Sequence, residues 1–253
     1  MTVLRSLIFQ TLLYIWIIVP GILCLPLLIL PRRALVWSAR LWCRGVMGLL
    51  AGTVGLTYRV RGRELIPEAP AVFASKHQSA WDTLAAEILV PDAAIIIKKE
   101  LQPVPLFGWY LWKHGMIAVD RQAGPRALKR LVADARAVLD AGRPVLIYPE
   151  GTRTAPGERK PYLPGVAALY LHLGVPVVPV ALNSGVLWAR RSFVKQPGRV
   201  DVEFLAPILP GLDRKRFLAE LEERIETATA ALVAGALVGK SVGNMAASPH
   251  RSV

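Results

Sequence analysis

The stretch AVFASKHQSAWDTLA, residues 71–85, holds two different structural patterns on either side of a short polar break. Before the break, AVFASK reads as a buried strand; after it, Ser79 is placed to cap a helix that opens on Ala80 and Trp81. His77 and Asp82 sit at that junction. On one continuous helix their spacing would set them roughly 140° apart around the axis and out of reach of each other. With His77 at the strand end and Asp82 in the first helical turn, the two side chains can meet. A carboxylate so placed holds the imidazole in one tautomer and leaves the other ring nitrogen free to accept a proton. Taken alone, the pair equally fits a core histidine satisfied by a neighbouring carboxylate. No GxSxG elbow accompanies it, so the hydroxyl to be activated would belong to a substrate.

Further strand-like runs follow: AAIIIKK (93–99), MIAVD (116–120), PVLIYP (144–149) and VPVVPVAL (175–182), with RVDVEFL (199–205) as a late one. Between them the clearest helix starts after Gly124, with Pro125 in its first turn. It sets Leu128, Leu131, Val132, Ala135, Val138 and Leu139 on one stripe and stops at Gly142. Alternation of this kind, with almost continuously apolar strands, predicts an α/β fold: a mixed, largely parallel sheet flanked by helices, covered on both faces. The α/β domain is expected over residues 56–232, closing with an amphipathic helix from Asp213 to Leu232. Residues 233–253, poor in large apolar side chains, are expected to form a flexible tail. GALVGKS (235–241) within them departs from a phosphate-binding loop in spacing, and no strand precedes it.

Residues 1–55 are expected to associate with a membrane. Ser6 to Pro31 is a run of 26 residues without a charge. As a helix it would extend roughly 39 Å against a hydrocarbon core of about 30 Å, but Pro20 and Pro26 interrupt it. A kinked span and a helix that enters and leaves one leaflet both fit. The run ends in Arg32 and Arg33 rather than at a small-residue cleavage site, so it reads as retained. A second apolar stretch, Gly45 to Tyr58, is too short to span. Arg32, Arg33, Arg40 and Arg44 place that side in the cytoplasm by the positive-inside rule, hence the inner (cytoplasmic) membrane with the catalytic domain on the cytoplasmic side. The net charge of +13 is attributed to anionic headgroups rather than nucleic acid. Cys24 and Cys43, without CxxC spacing, point to a reducing compartment and away from a structural zinc site.

A second polar cluster, PEGTR (149–153), follows the strand PVLIY, where α/β ligand sites lie. Gly151 lets backbone approach an anion, and Arg153 offers a bidentate fork for phosphate. Glu150 suits an ion pair or hydrogen bond that orients the loop. Lys98 and Arg121 each follow a short apolar run and would emerge at strand ends. Together these residues predict a cationic pocket beside a base.

HQSAWD, KKELQPVPLFGW with GMIAVDR, YPEGTR and VPVVPVAL occur in the order of the four blocks of the glycerolipid acyltransferase family. Over roughly residues 55–185 the chain resembles its 1-acylglycerol-3-phosphate acyltransferases of the PlsC type, with their HxxxxD motif. The resemblance implies transfer of a fatty acyl group from coenzyme A or acyl carrier protein to the free sn-2 hydroxyl of a lysophospholipid, giving phosphatidic acid. Lyso-ornithine lipid as another acceptor, or a membrane-binding module without chemistry, are the alternatives.

It further implies His77 as general base, Asp82 as its orienting partner, and Lys98, Arg121, Glu150, Gly151, Thr152 and Arg153 around the substrate. No metal or cofactor is expected; the acyl thioester is a co-substrate, and the bilayer and the lysophospholipid are the partners. Oxyanion donors would come from backbone amides near the helix start after His77, or from Lys98. Two positions depart from the family pattern. Lys76 stands where a small polar residue commonly precedes the histidine, and Leu163 where many relatives carry a basic or polar one.

Overall fold

The computed structural model describes residues 1–246, with side chains through residue 238. Along the chain run α1 (Thr2–Leu23), α2 (Arg32–Leu49), β1 (Leu56–Arg61), β2 (Val72–Ser75), α3 (Ala80–Leu89), β3 (Ala94–Lys98), α4 (Phe107–His114) and β4 (Ile117–Val119). They are followed by α5 (Gly124–Asp140), β5 (Val145–Ile147), α6 (Pro164–Leu173), β6 (Val177–Leu182), α7 (Ser184–Leu187), β7 (Gly198–Phe204) and α8 (Arg214–Ala246). The strands form one sheet in the order β1-β7-β6-β2-β5-β3-β4. From β6 to β4 the strands are parallel; β7 runs antiparallel to β6, and β1 runs parallel to β7. This is the mixed, largely parallel α/β sheet expected.

Every residue of β2, β5 and β6 is buried, because helices cover both faces of the sheet. Alternation along β2 sorts the side chains: Phe73 joins the core under α1, α2 and α3 with Phe9, Leu50 and Trp81, while Val72 and Ala74 face α5, α6 and α8 with Leu131, Leu169 and Phe217. β1 was not among the expected strands. Its basic residues Arg59 and Arg61 break the apolar run, and the edge position tolerates them: Arg59 pairs with Asp201 of β7 at 2.7 Å.

The N-terminal helices form a hairpin fixed by two indole–carbonyl bonds, Trp16 Nε1 to the Trp42 carbonyl at 3.1 Å and Trp42 Nε1 to the Trp16 carbonyl at 2.7 Å. Both ends of α1 are tied to the α/β domain. Near its start, Ser6 exchanges hydrogen bonds with the backbone of Lys195; near its end, the Tyr110 hydroxyl of α4 donates to the Gly21 carbonyl at 2.7 Å. The helix therefore lies along the domain instead of leading away from it.

Two of the arginines assigned to headgroups turn inward as well. Arg32 forks onto Asp92 at 2.5 and 2.8 Å, and Arg40 approaches the buried Glu87 at 3.6 Å. They join α2 to the α/β domain.

The closing helix continues to Ala246, beyond the expected stop at Leu232. Asp213 caps its start through the amides of Lys215 and Arg216. The remainder of the expected tail, residues 247–253, lies outside the described residues.

Candidate active site

β2 ends at Ser75, a short link carries Lys76, His77 and Gln78, and Ser79 caps α3. Its hydroxyl accepts from the Trp81 amide at 3.1 Å, while Asp82, one turn in, accepts from the Ser79 and Gln78 amides at 2.8 and 2.7 Å. This capping box aims the Asp82 carboxylate back at the link, and His77 Nδ1 meets it at 2.9 Å. The Ser184 hydroxyl of α7 donates to the other carboxylate oxygen. Surrounded by donors, Asp82 acts as acceptor, so the proton shared with the imidazole sits on Nδ1 and leaves the Nε2 lone pair free.

The ring of His77 stacks on Tyr148 with centroids 4.0 Å apart. Burial and the neighbouring Asp82 charge hold the Tyr148 phenol well above its ordinary pKa, so it stays neutral beside the imidazole. The backbone of His77 is pinned on both sides by the PEGTR turn and its continuation. Its amide donates to Glu150 Oε2 at 3.3 Å, and its carbonyl accepts from the amide and hydroxyl of Thr154 at 2.8 and 3.2 Å.

Glu150 faces the interior. Its carboxylate bonds the Lys76 ammonium at 2.6 Å, and that ammonium also holds Glu226 of α8 at 2.7 and 2.9 Å. Tyr162 donates to Glu226 at 3.1 Å, and its burial also raises its pKa. Glu150 is thus not a cleft residue, which removes it from the substrate-binding set and leaves the loop-orienting ion pair. Lys76, whose side chain is 1% exposed, points away from the imidazole and does not change the polarity at its ring.

Burial pushes the Glu150 carboxyl up, with the Lys76 bond opposing it only in part. The folded protein therefore takes up a proton here before the unfolded chain does, and this group's contribution to stability falls as pH rises through its folded pKa. Relative to Glu150→Gln, the melting temperature of the unsubstituted protein is expected to gain as pH is lowered from about 7 toward the ordinary glutamate value near 4.3. Melting curves of the two proteins across that range check it.

His77 opens on a cleft of about 740 Å³ that Lys98, Arg121, Gly151, Thr152 and Arg153 also line. Apolar side chains from β3 and α5, among them Ile96, Leu128 and Leu131, form one wall. Gly151 adopts φ +63, and a Cβ built on it would fall 2.9 Å from Arg121 Nη2 and 2.3 Å from Leu163 Cδ1. The left-handed backbone and the close side chains favour glycine there, and Arg121 packs against the PEGTR turn. Leu163 fills with methyl groups the place where a polar residue was thought usual.

The acyltransferase family model matches residues 57–183, half of the chain. A 1-acyl-sn-glycerol-3-phosphate acyltransferase from Pseudomonas aeruginosa is 38% identical over 199 residues, 78% of this chain and 77% of the relative.

The chain belongs to the acyltransferase family.

A mouse relative, 1-acyl-sn-glycerol-3-phosphate acyltransferase alpha, is 30% identical over 61% of this acyltransferase and 55% of its own length, so the chain spans little more than half of that relative. The crystal structure of the 1-acyl-sn-glycerophosphate acyltransferase PlsC from Thermotoga maritima shares the fold, with a TM-score of 0.75 and 22% identity over 91% of this chain and 95% of that one.

Three features of the acyltransferase site escaped the sequence. Ser184 lies far along the chain from His77 with no local pattern to mark it, and Tyr148 opens the YPEGTR block, which gave no sign of its stacking on the imidazole. Arg190 and Arg191 also line the cleft, from a turn beyond the four motif blocks. The oxyanion expectation changes too, because the amides of Gln78, Ser79 and Trp81 at the helix start are all taken by the capping box. Lys98, the other donor source expected, lines the cleft.

Proposed function

We propose that this acyltransferase moves a fatty acyl group from a thioester to the free sn-2 hydroxyl of 1-acylglycerol 3-phosphate, forming phosphatidic acid for phospholipid synthesis. The observation that carries the reading is the free Nε2 of His77, held by the Asp82 bond, opening on a cleft with a basic rim and an apolar wall. Nε2 removes the proton of the acceptor hydroxyl as its oxygen attacks the thioester carbonyl. The new ester C–O bond forms, the C–S bond breaks, and the proton passes from His77 to the departing thiolate. Asp82 stabilises the imidazolium in between. Lys98 offers positive charge to the carbonyl oxygen as it becomes anionic. Arg153, Arg121 and the Gly151–Thr152 backbone hold the acceptor's phosphate and thereby aim its hydroxyl.

The tethering of α1 supports a membrane face on this side of the domain. With both ends bonded to the domain, α1 lies in one leaflet, presenting Leu7, Ile15, Ile18 and Ile22 to the acyl chains. Trp109 and Trp112 of α4 extend this face beside Leu28, as tryptophans do at a bilayer interface. A lysolipid and an acyl chain then reach the cleft from the membrane surface.

Incubating the purified protein with an acyl thioester and a panel of lysolipids, followed by mass spectrometry of the products, tests the reading. Phosphatidate from lysophosphatidate is expected; acylation of lyso-ornithine lipid in its place overturns the acceptor assignment. Arg153→Ala should raise KM for lysophosphatidate by about 10- to 100-fold, the range of a lost charge-assisted bond, with a smaller change in kcat. Initial rates over both substrate concentrations give that split.

A further inference from the structure

The rim of the cleft carries more positive charge than the acceptor can use. Lys98, Arg121, Arg153, Arg190 and Arg191 line it, and no carboxylate does so among the described residues. A phosphomonoester brings at most about two negative charges. Arg121 and Arg153 belong to the PEGTR turn and its neighbour; Arg190 and Arg191 lie outside the residues matched by the family model.

Those two arginines are held in place. They are the central residues of a turn closed by the Ser192 amide on the Ala189 carbonyl at 3.1 Å. Arg191 adopts φ +60, in the left-handed region where turns ordinarily select glycine or asparagine. Behind the turn, Trp188 meets Phe9 of α1 edge-on at 5.7 Å, and the buried Lys195 bonds Gln10 at 2.7 Å and the Phe193 carbonyl at 2.9 Å. Arg190 Nη1 donates to the Arg153 carbonyl at 3.1 Å, which fixes the turn to the acceptor end of the cleft. Glu158, whose charge Arg190 also feels, is engaged by the Ala155 amide and Lys160 and does not line the cleft. Both arginines are exposed and line the cleft.

We infer that Arg190 and Arg191 form the binding site for the phosphate group of the acyl donor, with Arg191 the freer of the two. The inference rests on the acyltransfer reading above. Both biological thioester carriers hold the acyl group on a phosphopantetheine arm, so the thioester enters toward His77 while the phosphate at the far end of the arm stays at the solvent-facing mouth. That is where the two arginines stand. The acceptor's phosphate, only a few bonds from its reacting hydroxyl, must bind deeper, beside Gly151.

The test compares donors. Arg191→Ala and Arg190→Ala/Arg191→Ala are assayed with lysophosphatidate and, in turn, acyl-CoA, acyl carrier protein, acyl-4′-phosphopantetheine and the phosphate-free thioester acyl-N-acetylcysteamine. The expected result is a KM for phosphate-bearing donors raised by about tenfold or more, a loss equivalent to one charge-assisted contact, with KM for lysophosphatidate unchanged. The phosphate-free donor should distinguish the proteins by less than twofold or so on the same scale. An equal loss with acyl-4′-phosphopantetheine supports the arm's own phosphate as ligand. A loss confined to acyl-CoA supports the nucleotide phosphates, and one confined to acyl carrier protein overturns the phosphate site in favour of a protein contact. A raised KM for lysophosphatidate, or equal losses with the phosphate-free donor, also overturns it. If the unsubstituted protein forms no phosphatidate from any donor, the acyltransfer reading itself falls; if it does and the variants match it, this inference alone falls.

Discussion

Replacing His77 with alanine is expected to lower kcat by about 10² to 10⁴, the range ordinarily supplied by a positioned general base. The fold should survive. His77 contributes one side-chain hydrogen bond to Asp82 and a stacked ring on Tyr148, a loss on the order of 1–2 kcal/mol, so the melting temperature should drop by only several degrees. The backbone bonds of residue 77 to Glu150 and Thr154 do not depend on its side chain and persist in the variant. Turnover measured with labelled acyl donor, together with a melting curve on the same preparation, separates a chemical role from a structural one. A variant that melts normally and turns over normally would end the mechanism.

The largest effect on stability is expected at Lys76. Its ammonium is the shared cation for two buried carboxylates, Glu150 and Glu226, and Lys76→Met leaves both without it. Breaking a buried pair from one side costs about 3–5 kcal/mol, because the uncompensated charge stays in a low-dielectric interior. Removing the charge on the other side should recover part of this. In Lys76→Met/Glu226→Gln the amide still accepts the Tyr162 hydroxyl, and Glu150 keeps the Thr154 hydroxyl and the His77 amide. The double variant is therefore expected to be more stable than Lys76→Met alone by about 1 kcal/mol or more, a coupling typical of residues in one network. Urea unfolding of the four proteins in the cycle measures it. Activity should follow the same order, since Glu150 links this network to the backbone of His77.

The two variants also mark where sequence reading succeeds. His77 and Asp82 were legible because their meeting is local: a strand end, a capping serine and the first helical turn bring them together within a few residues. The PEGTR turn was legible for a similar reason, since a strand followed by a glycine-bearing polar turn is recognisable by itself. Lys76 was noticed as a departure, but its partner was not foreseen. Glu226 lies on a helix long after the motif blocks, and nothing in its own neighbourhood distinguishes it from the solvated glutamates around it.

The hairpin teaches the same lesson at larger scale. Length and hydropathy of α1 permit either a span or a single-leaflet helix, and Pro20 does not choose between them. What lays α1 along the domain is the pair of contacts from Ser6 to Lys195 and from Tyr110 to Gly21. The inward turn of Arg32 and Arg40 was hidden likewise, because a basic cluster after an apolar run looks the same whether its partners are headgroups or Asp92 and Glu87.

By itself, the sequence determined the strand and helix alternation, the two-faced burial of the sheet and the histidine–aspartate junction, because periodicity and capping act over a few neighbouring residues. Tertiary structure alone decided that Ser184 completes the Asp82 shell, that Lys76 is neutralised by Glu226, that α1 lies along the domain, and that a late turn brings Arg190 and Arg191 to the mouth of the cleft. Those partners are chosen by which elements the strand order sets side by side, and a buried charge or an unpaired donor takes whichever group that packing delivers.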